Sequence, residues 1–197
     1  MILGFKQKFA DGTPTYFREK ILVGIDRPEV KAYSFGNKGL EIIPFGNAGT
    51  RTYKVWESSE KGFIHVQDLV LHPKLHTFRE DPHDRWKAGM SIQMVYRGPK
   101  YSIADHFNKG IPELEKCKSI QKIGMKWSIR KEALKIFIDH KLFAVIPCAG
   151  NVHVNEPFLS NGVLLAHNDG FDNTRLFVNW FNKDWQGKII HFTDLRY

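Results

Sequence analysis

Cys117-Lys118-Ser119-Ile120-Gln121-Lys122-Ile123-Gly124-Met125-Lys126-Trp127 is the stretch on which the fold turns. Ile123, Met125 and Trp127 alternate with lysines, so a period of two puts an apolar row on one face and Lys118, Lys122 and Lys126 on the other. Working outward, Met90, Ile92, Met94 and Tyr96 alternate with Ser91, Gln93, Val95 and Arg97 after the Ala88-Gly89 turn, which predicts another half-buried strand. Leu134 to Ile138 is a further strand candidate, although Arg130-Lys131-Glu132-Ala133 before it leaves a helical start open. Gly187 starts a last strand, Lys188 to Phe192.

Helices are few. After a short strand from Ile2 to Phe9, Thr13 caps a predicted helix with Pro14 in its first turn, Phe17 and Ile21 on one face and Gly24 as its stop. Late in the chain Asp172 caps another, whose Leu176, Phe177, Trp180 and Phe181 share a side. From Ile25 to Leu71, Gly, Asn, Ser and Pro punctuate short β-like pieces such as Leu40 to Ile43 and Thr52 to Trp56, and hairpins are expected there. Residues 25–71 therefore read as an inserted lobe. Residues 142–162, broken by Pro147, Gly150, Pro157 and Gly162, read as an irregular insertion. Many strands and few helices predict an α+β fold, a small β-barrel with helices packed at its ends and residues 1–197 in a single domain.

Apolar residues at 42% and charged residues at 25% of 197 positions sit in the globular range and exclude a disordered tail protein. No run approaches the roughly 18 apolar residues of a membrane span, and no signal-type stretch follows Lys6 and Lys8, so a soluble, cytoplasmic chain is expected. Cys117 and Cys148 form no CxxC; cysteine-based structural zinc is excluded and no disulfide is expected. Lys and Arg number 29 against 21 Asp and Glu, a net charge of +8 that favours a polyanionic partner. The excess is local. Between Lys116 and Lys141 eight basic residues face only Glu132 and Asp139, whereas six of each sign balance between Asp26 and Asp68. The row Lys118, Lys122 and Lys126 is the predicted nucleic-acid-binding surface, and the same lysines would also keep a strand edge from pairing with other chains.

His72, His76 and His83, with Glu80, Asp81 and Asp84, make the densest set of possible metal ligands, but Pro73 denies His72 and His76 a shared helix face. No metal and no cofactor are expected. GxSxG, the P-loop and GxGxxG are all absent. What remains is Lys74-Leu75-His76-Thr77-Phe78-Arg79. In a strand Thr77 and Arg79 share a face, and Lys74 joins them only from the turn that Pro73 creates.

Four segments together resemble the ASCH domain family: the helix ending Ile21-Leu22-Val23-Gly24, the segment Lys74 to Arg79, Arg85-Trp86-Lys87-Ala88-Gly89, and Ala166-His167-Asn168-Asp169-Gly170-Phe171 before an aromatic helix. The family pattern is roughly Gly-x-Lys-x-x-Glu/Thr-x-Arg; Lys74, Thr77 and Arg79 match its last three positions, and His72 stands where the glycine is usual. The resemblance implies a PUA-like β-barrel with a cleft for RNA or a single nucleoside. One branch, amidohydrolases that deacetylate acetylcytidine, is proposed to use a lysine, a threonine and a glutamate. Lys74 and Thr77 match the first two, and Asp169, one methylene shorter, falls near the third.

The resemblance thus implies Lys74, Thr77 and Asp169 as catalytic residues and Arg79, Arg85 and Trp86 as substrate-binding residues. A lysine with a depressed pKa could take the threonine proton, Asp169 could orient the lysine, and Arg79 could hold an oxyanion or a phosphate. Asn168-Asp169-Gly170 is equally a good turn before a capped helix. Trp86, Tyr96 and Tyr101 offer stacking faces for a base and would also serve as core. Two functions stay open: a protein that binds RNA or a modified nucleoside and hydrolyses an amide on a modified cytidine, and a non-catalytic RNA- or nucleic-acid-binding module.

Overall fold

A computed structural model describes residues 1–6, 8–25, 33–35, 38–43, 51–59, 62–97, 105–149 and 153–197. In chain order its elements are β1 (Ile2–Lys6), α1 (Phe17–Gly24), β2 (Tyr33–Phe35), β3 (Lys38–Ile43), β4 (Arg51–Ser59), β5 (Gly62–Leu71), β6 (His76–Arg79), β7 (Gln93–Arg97), β8 (Asp105–His106), β9 (Ser119–Trp127), β10 (Ala133–Ile138), β11 (Lys141–Pro147), α2 (Glu156–Asn168), α3 (Thr174–Trp180) and β12 (Trp185–His191).

The alternation expected between Cys117 and Trp127 is observed in β9: Gln121, Ile123 and Met125 are buried, and Lys122 and Lys126 are exposed. Its neighbours complete a central antiparallel sheet in the order β11-β10-β9-β12-β6. β1 pairs in parallel with β7, which also carries β8, and β2 to β5 form an antiparallel meander. The hairpins expected between Ile25 and Leu71 are therefore present, with Leu40 to Ile43 in β3 and Thr52 to Trp56 in β4. The fold mixes helices and strands as expected, but the central sheet is open, with β11 and β6 as its outer strands, and not closed into a barrel. A period of two is the same in an open sheet and in a closed one, so alternation cannot distinguish them.

The core lies on the central sheet. Leu134 and Ile136 of β10, Met125 of β9 and Ile189 of β12 are fully buried with Leu165 of α2 and Phe177 of α3. Each such side chain contributes about 1.5–3 kcal/mol on leaving water. Phe78, Phe171, Phe177 and Phe181 form an aromatic cluster, with the Phe177 and Phe181 ring centroids 4.9 Å apart. α2 packs on β11 closely enough that a Cβ on Gly162 would stand 2.8 Å from Ile146 Cγ1.

Four local expectations are corrected. Thr13 and Pro14 do not start the first helix. The Thr13 N–H and hydroxyl both donate to Asp11 Oδ1 (3.0 and 2.6 Å), Pro14 bridges to Lys8, and Tyr16, at φ 51, turns the chain before α1 begins at Phe17. Asn173, not Asp172, caps α3, its Oδ1 accepting from the Leu176 N–H at 2.9 Å. Within 142–162, most of the described residues are regular, in β11 and α2. Asp139 and His140, both at positive φ, make the tight turn that returns the chain as β11, and Pro157 sits in the first turn of α2, where its missing N–H costs nothing. Met90 and Ile92 precede β7 rather than joining it, since their backbone bonds run to Cys117 and Glu115.

Among the described residues no helix is long and apolar enough to cross a membrane. Cys117 and Cys148 are both free thiols.

Candidate functional site

Lys74 stands in the short link between β5 and β6, and backbone bonds hold it from both sides. Its N–H donates to Lys20 O in α1, and the Leu75 N–H donates to Asn168 O at the end of α2, each at 2.8 Å. Lys74 and Asp169 form an isolated antiparallel bridge, so residues 95 positions apart meet back to back. The Lys74 ammonium then reaches both the Asp169 carboxylate and the Asp169 carbonyl, and lies 4.5 Å from the centroid of the Phe17 ring. Gly170, at φ +84, packs on the lysine stem: an added Cβ would stand 3.1 Å from Lys74 Cβ. Only glycine combines that dihedral with that clearance.

Thr77 and Arg79 project from β6 on one face, opposite Ile190 and Lys188 of β12. The Arg79 guanidinium donates to Phe78 O and Gly4 O, both at 2.8 Å, and lies 5.3 Å from the Phe5 ring centroid. Its charge also acts on Lys74 and Asp169. Lys74, Thr77 and Asp169 are only 2%, 3% and 4% exposed, so all three are closed to bulk solvent; the Lys74 ammonium bonds to Asp169, and among the described residues it has no hydrogen bond to Thr77.

Burial governs the electrostatics. It lowers the Lys74 pKa to about 8 against the opposing pull of Asp169, and it raises that of Asp169 against the opposing pull of Lys74. Both shifts favour the neutral forms, because burial penalises each charge and the partner's opposite charge offsets that penalty only in part. The arrangement can supply an uncharged amine near neutral pH, a carboxyl group to orient it, and a fixed guanidinium.

Two charged neighbours escaped the sequence reading. Lys20 is fully buried, its Nζ donating to Gly170 O and to Asp172 Oδ1, both at 2.7 Å, which ties the turn after Asp169 to α1. Glu19 is equally buried, its carboxylate oxygens accept no hydrogen bond among the described residues, and burial raises its pKa to about 7. The signal for Lys20 was its spacing, three residues after Phe17 and four before Gly24, on the face that faces inward. Behind the site, the Asn168 amide donates to the Tyr197 hydroxyl (3.0 Å), which lies 3.3 Å from His76 Nδ1.

The lysine row lies elsewhere. Lys118 precedes β9, while Lys122 and Lys126 line a cleft of about 590 Å³ together with Gly124, Phe137 and Lys188. Lys74, Thr77 and Asp169 are not among its lining residues. On one wall Lys188 Nζ pairs with Asp81 (2.9 Å) and Asp84 and donates to Trp86 O (2.9 Å). Asp81 in turn accepts from the Arg85 and Trp86 N–H groups at 2.8 and 2.9 Å. The Arg85 side chain is exposed, whereas Trp86 is 5% exposed within the core and borders a smaller neighbouring cleft. The Tyr96 side chain and Tyr101 lie outside the described residues.

His72 stacks on His167 with ring centroids 4.6 Å apart, and His76 turns inward against His191. Among the described residues no three His, Cys, Asp or Glu side chains gather as a metal site. Comparison with protein-family models, curated proteins and solved structures finds no match to this chain.

Proposed function

We propose that the chain is an ASCH-like protein that binds RNA or a modified nucleoside on its basic surface and hydrolyses an amide on a modified cytidine at Lys74, Thr77 and Asp169. Its open sheets would then be a variant of the PUA-like barrel. The observation that carries the reading is the buried contact between Lys74 and Asp169, two residues paired in the sequence reading and found in contact.

In this reading neutral Lys74 takes the Thr77 hydroxyl proton as the threonine oxygen attacks the acyl carbon. Arg79 faces the oxyanion that forms. Collapse breaks the carbon–nitrogen bond, the Lys74 ammonium returns the proton to the departing amine, and water, deprotonated by Lys74, cleaves the acyl-threonine ester and regenerates the hydroxyl. Asp169 orients the lysine throughout. Because all three groups are buried, an open form must precede substrate entry.

A second reading, binding without catalysis, draws on the separation of the cleft beside Lys122 and Lys126 from the buried residues: there Lys74 is a strut between α1 and the turn after α2. Mass-spectrometric screening of acylated nucleosides with the purified chain decides between them. Release of acetate and cytidine, abolished in Thr77→Ala and Lys74→Ala, supports the hydrolase; a panel left intact, with RNA still bound, supports the module.

A further inference from the structure

We propose that the cleft over β9 and β12 is a binding site for a phosphorylated nucleobase compound, either a free nucleotide or the same unit within a single strand. This rests on the reading of the lysine row as a binding surface, and it adds a ligand class and an orientation. It uses none of Lys74, Thr77 or Asp169.

The sheet register arranges the cleft in rungs. At one end Lys126 lies opposite Lys135, which is not itself a lining residue, in the middle Phe137, Gly124 and Gln186 lie side by side, and at the other end Lys122 lies opposite Lys188. Directly opposed residues share a face, and rungs two residues apart are separated by about 7 Å. The middle rung is a slot. A Cβ added to Gly124 would meet no atom within 4 Å, and the half-buried Phe137 ring borders that open space. A flat ring fills such a slot, and stacking of a base on an aromatic side chain contributes about 1–3 kcal/mol.

The two ends differ in charge. Lys188 is neutralised by Asp81 and Asp84, which leaves the Lys122 end near balance. Lys126 and Lys135 are both exposed and directly opposed, and neither has an ion-pair partner among the described residues. Like charges in that relation destabilise a sheet, and an anion seated between them removes the repulsion. Glu80 and Gln186, also lining the cleft, offer acceptors to the amino edge of a base. A simple anion would leave the slot empty, and an apolar ring would leave the lysines unpaired. The cleft volume of about 590 Å³ lies within the range of small-molecule sites.

The test is calorimetric titration at low salt with cytidine 5′-monophosphate, cytidine, inorganic phosphate and single-stranded oligocytidine RNA. The monophosphate should bind more tightly than cytidine or phosphate. Gly124→Val, whose Cβ projects into the slot with no protein atom within 4 Å, should weaken the monophosphate at least tenfold with an unchanged thermal midpoint. The double variant Lys126→Ala, Lys135→Ala should bring it down to the affinity of cytidine and leave cytidine itself unaffected. RNA binding well above the monophosphate identifies the strand as the source, and equal binding identifies the free nucleotide. Absence of monophosphate binding, or equal binding by folded Gly124→Val, overturns the proposal. Acetate release is read separately: hydrolysis without monophosphate binding removes the cleft and keeps the hydrolase, and binding without hydrolysis does the reverse.

Discussion

Lys74 is a cation enclosed by an aromatic ring, a carboxylate and a glycine, and its chemistry follows from that enclosure. With a folded pKa near 8 against an ordinary value of 10.5, the charged form is penalised below pH 8, and the penalty is relieved as pH rises from 8 toward 10.5. Amide hydrolysis by neutral Lys74 should accordingly rise through pH 8 and level off above it; a rate already flat from pH 6 to 9 would remove Lys74 as the base. Gly170→Ala forces a side chain into left-handed backbone against the lysine stem, and should cost about 1–2 kcal/mol in denaturant unfolding together with most of the turnover. Glu19 works in the opposite sense. Its folded pKa is raised from 4.5 to about 7, so the stability that its protonated form retains below pH 4.5 is lost as pH rises to 7. Glu19→Gln should therefore leave stability at pH 4.5 unchanged and raise it at pH 8 by up to roughly 3 kcal/mol, checked by urea melts at both values.

At the level of single elements, β9 shows where sequence patterns carry information and where they stop. Its alternation was legible because one face meets the core and the other meets water, and that difference is written in residue type. β11 was harder to read because Pro147 ends it and its turn uses Asp139 and His140 rather than glycine at positive φ. The start of α1 depends on Tyr16 taking a left-handed conformation that no propensity favours. The lysines of β9 also yield a graded prediction. Lys122 and Lys126 line the cleft, whereas Lys118 lies before the strand. Lys122→Ala and Lys126→Ala should each flatten the salt dependence of single-stranded RNA binding by about 0.7 in log–log slope, and Lys118→Ala should change it less. Equal effects from all three would mean that a continuous charged surface, and not the cleft, does the binding.

Across the whole molecule, the candidate site exists because the chain closes a long loop. Lys74 and Asp169 come from opposite halves of the sequence and meet through α1, the link before β6 and the turn after α2, while Arg79 is held by Gly4 of β1 in another sheet. A motif shows which residue types lie near one another along a strand, so Lys74, Thr77 and Arg79 were legible. That Asp169 meets Lys74 could be suggested only by resemblance, and that Lys20 ties the same turn to α1 was legible only as a helical spacing whose meaning required the packing. An open sheet in place of a barrel is a property of the outer strands, which carry no separate mark in the sequence. The most direct measurement is mass-spectrometric quantitation of acetate and cytidine released from acetylcytidine by the purified chain and by Thr77→Ala. Release by the unmodified chain, abolished in a Thr77→Ala protein that still folds and binds RNA, is the expected result; equal release by both, or none by the unmodified chain, would contradict it.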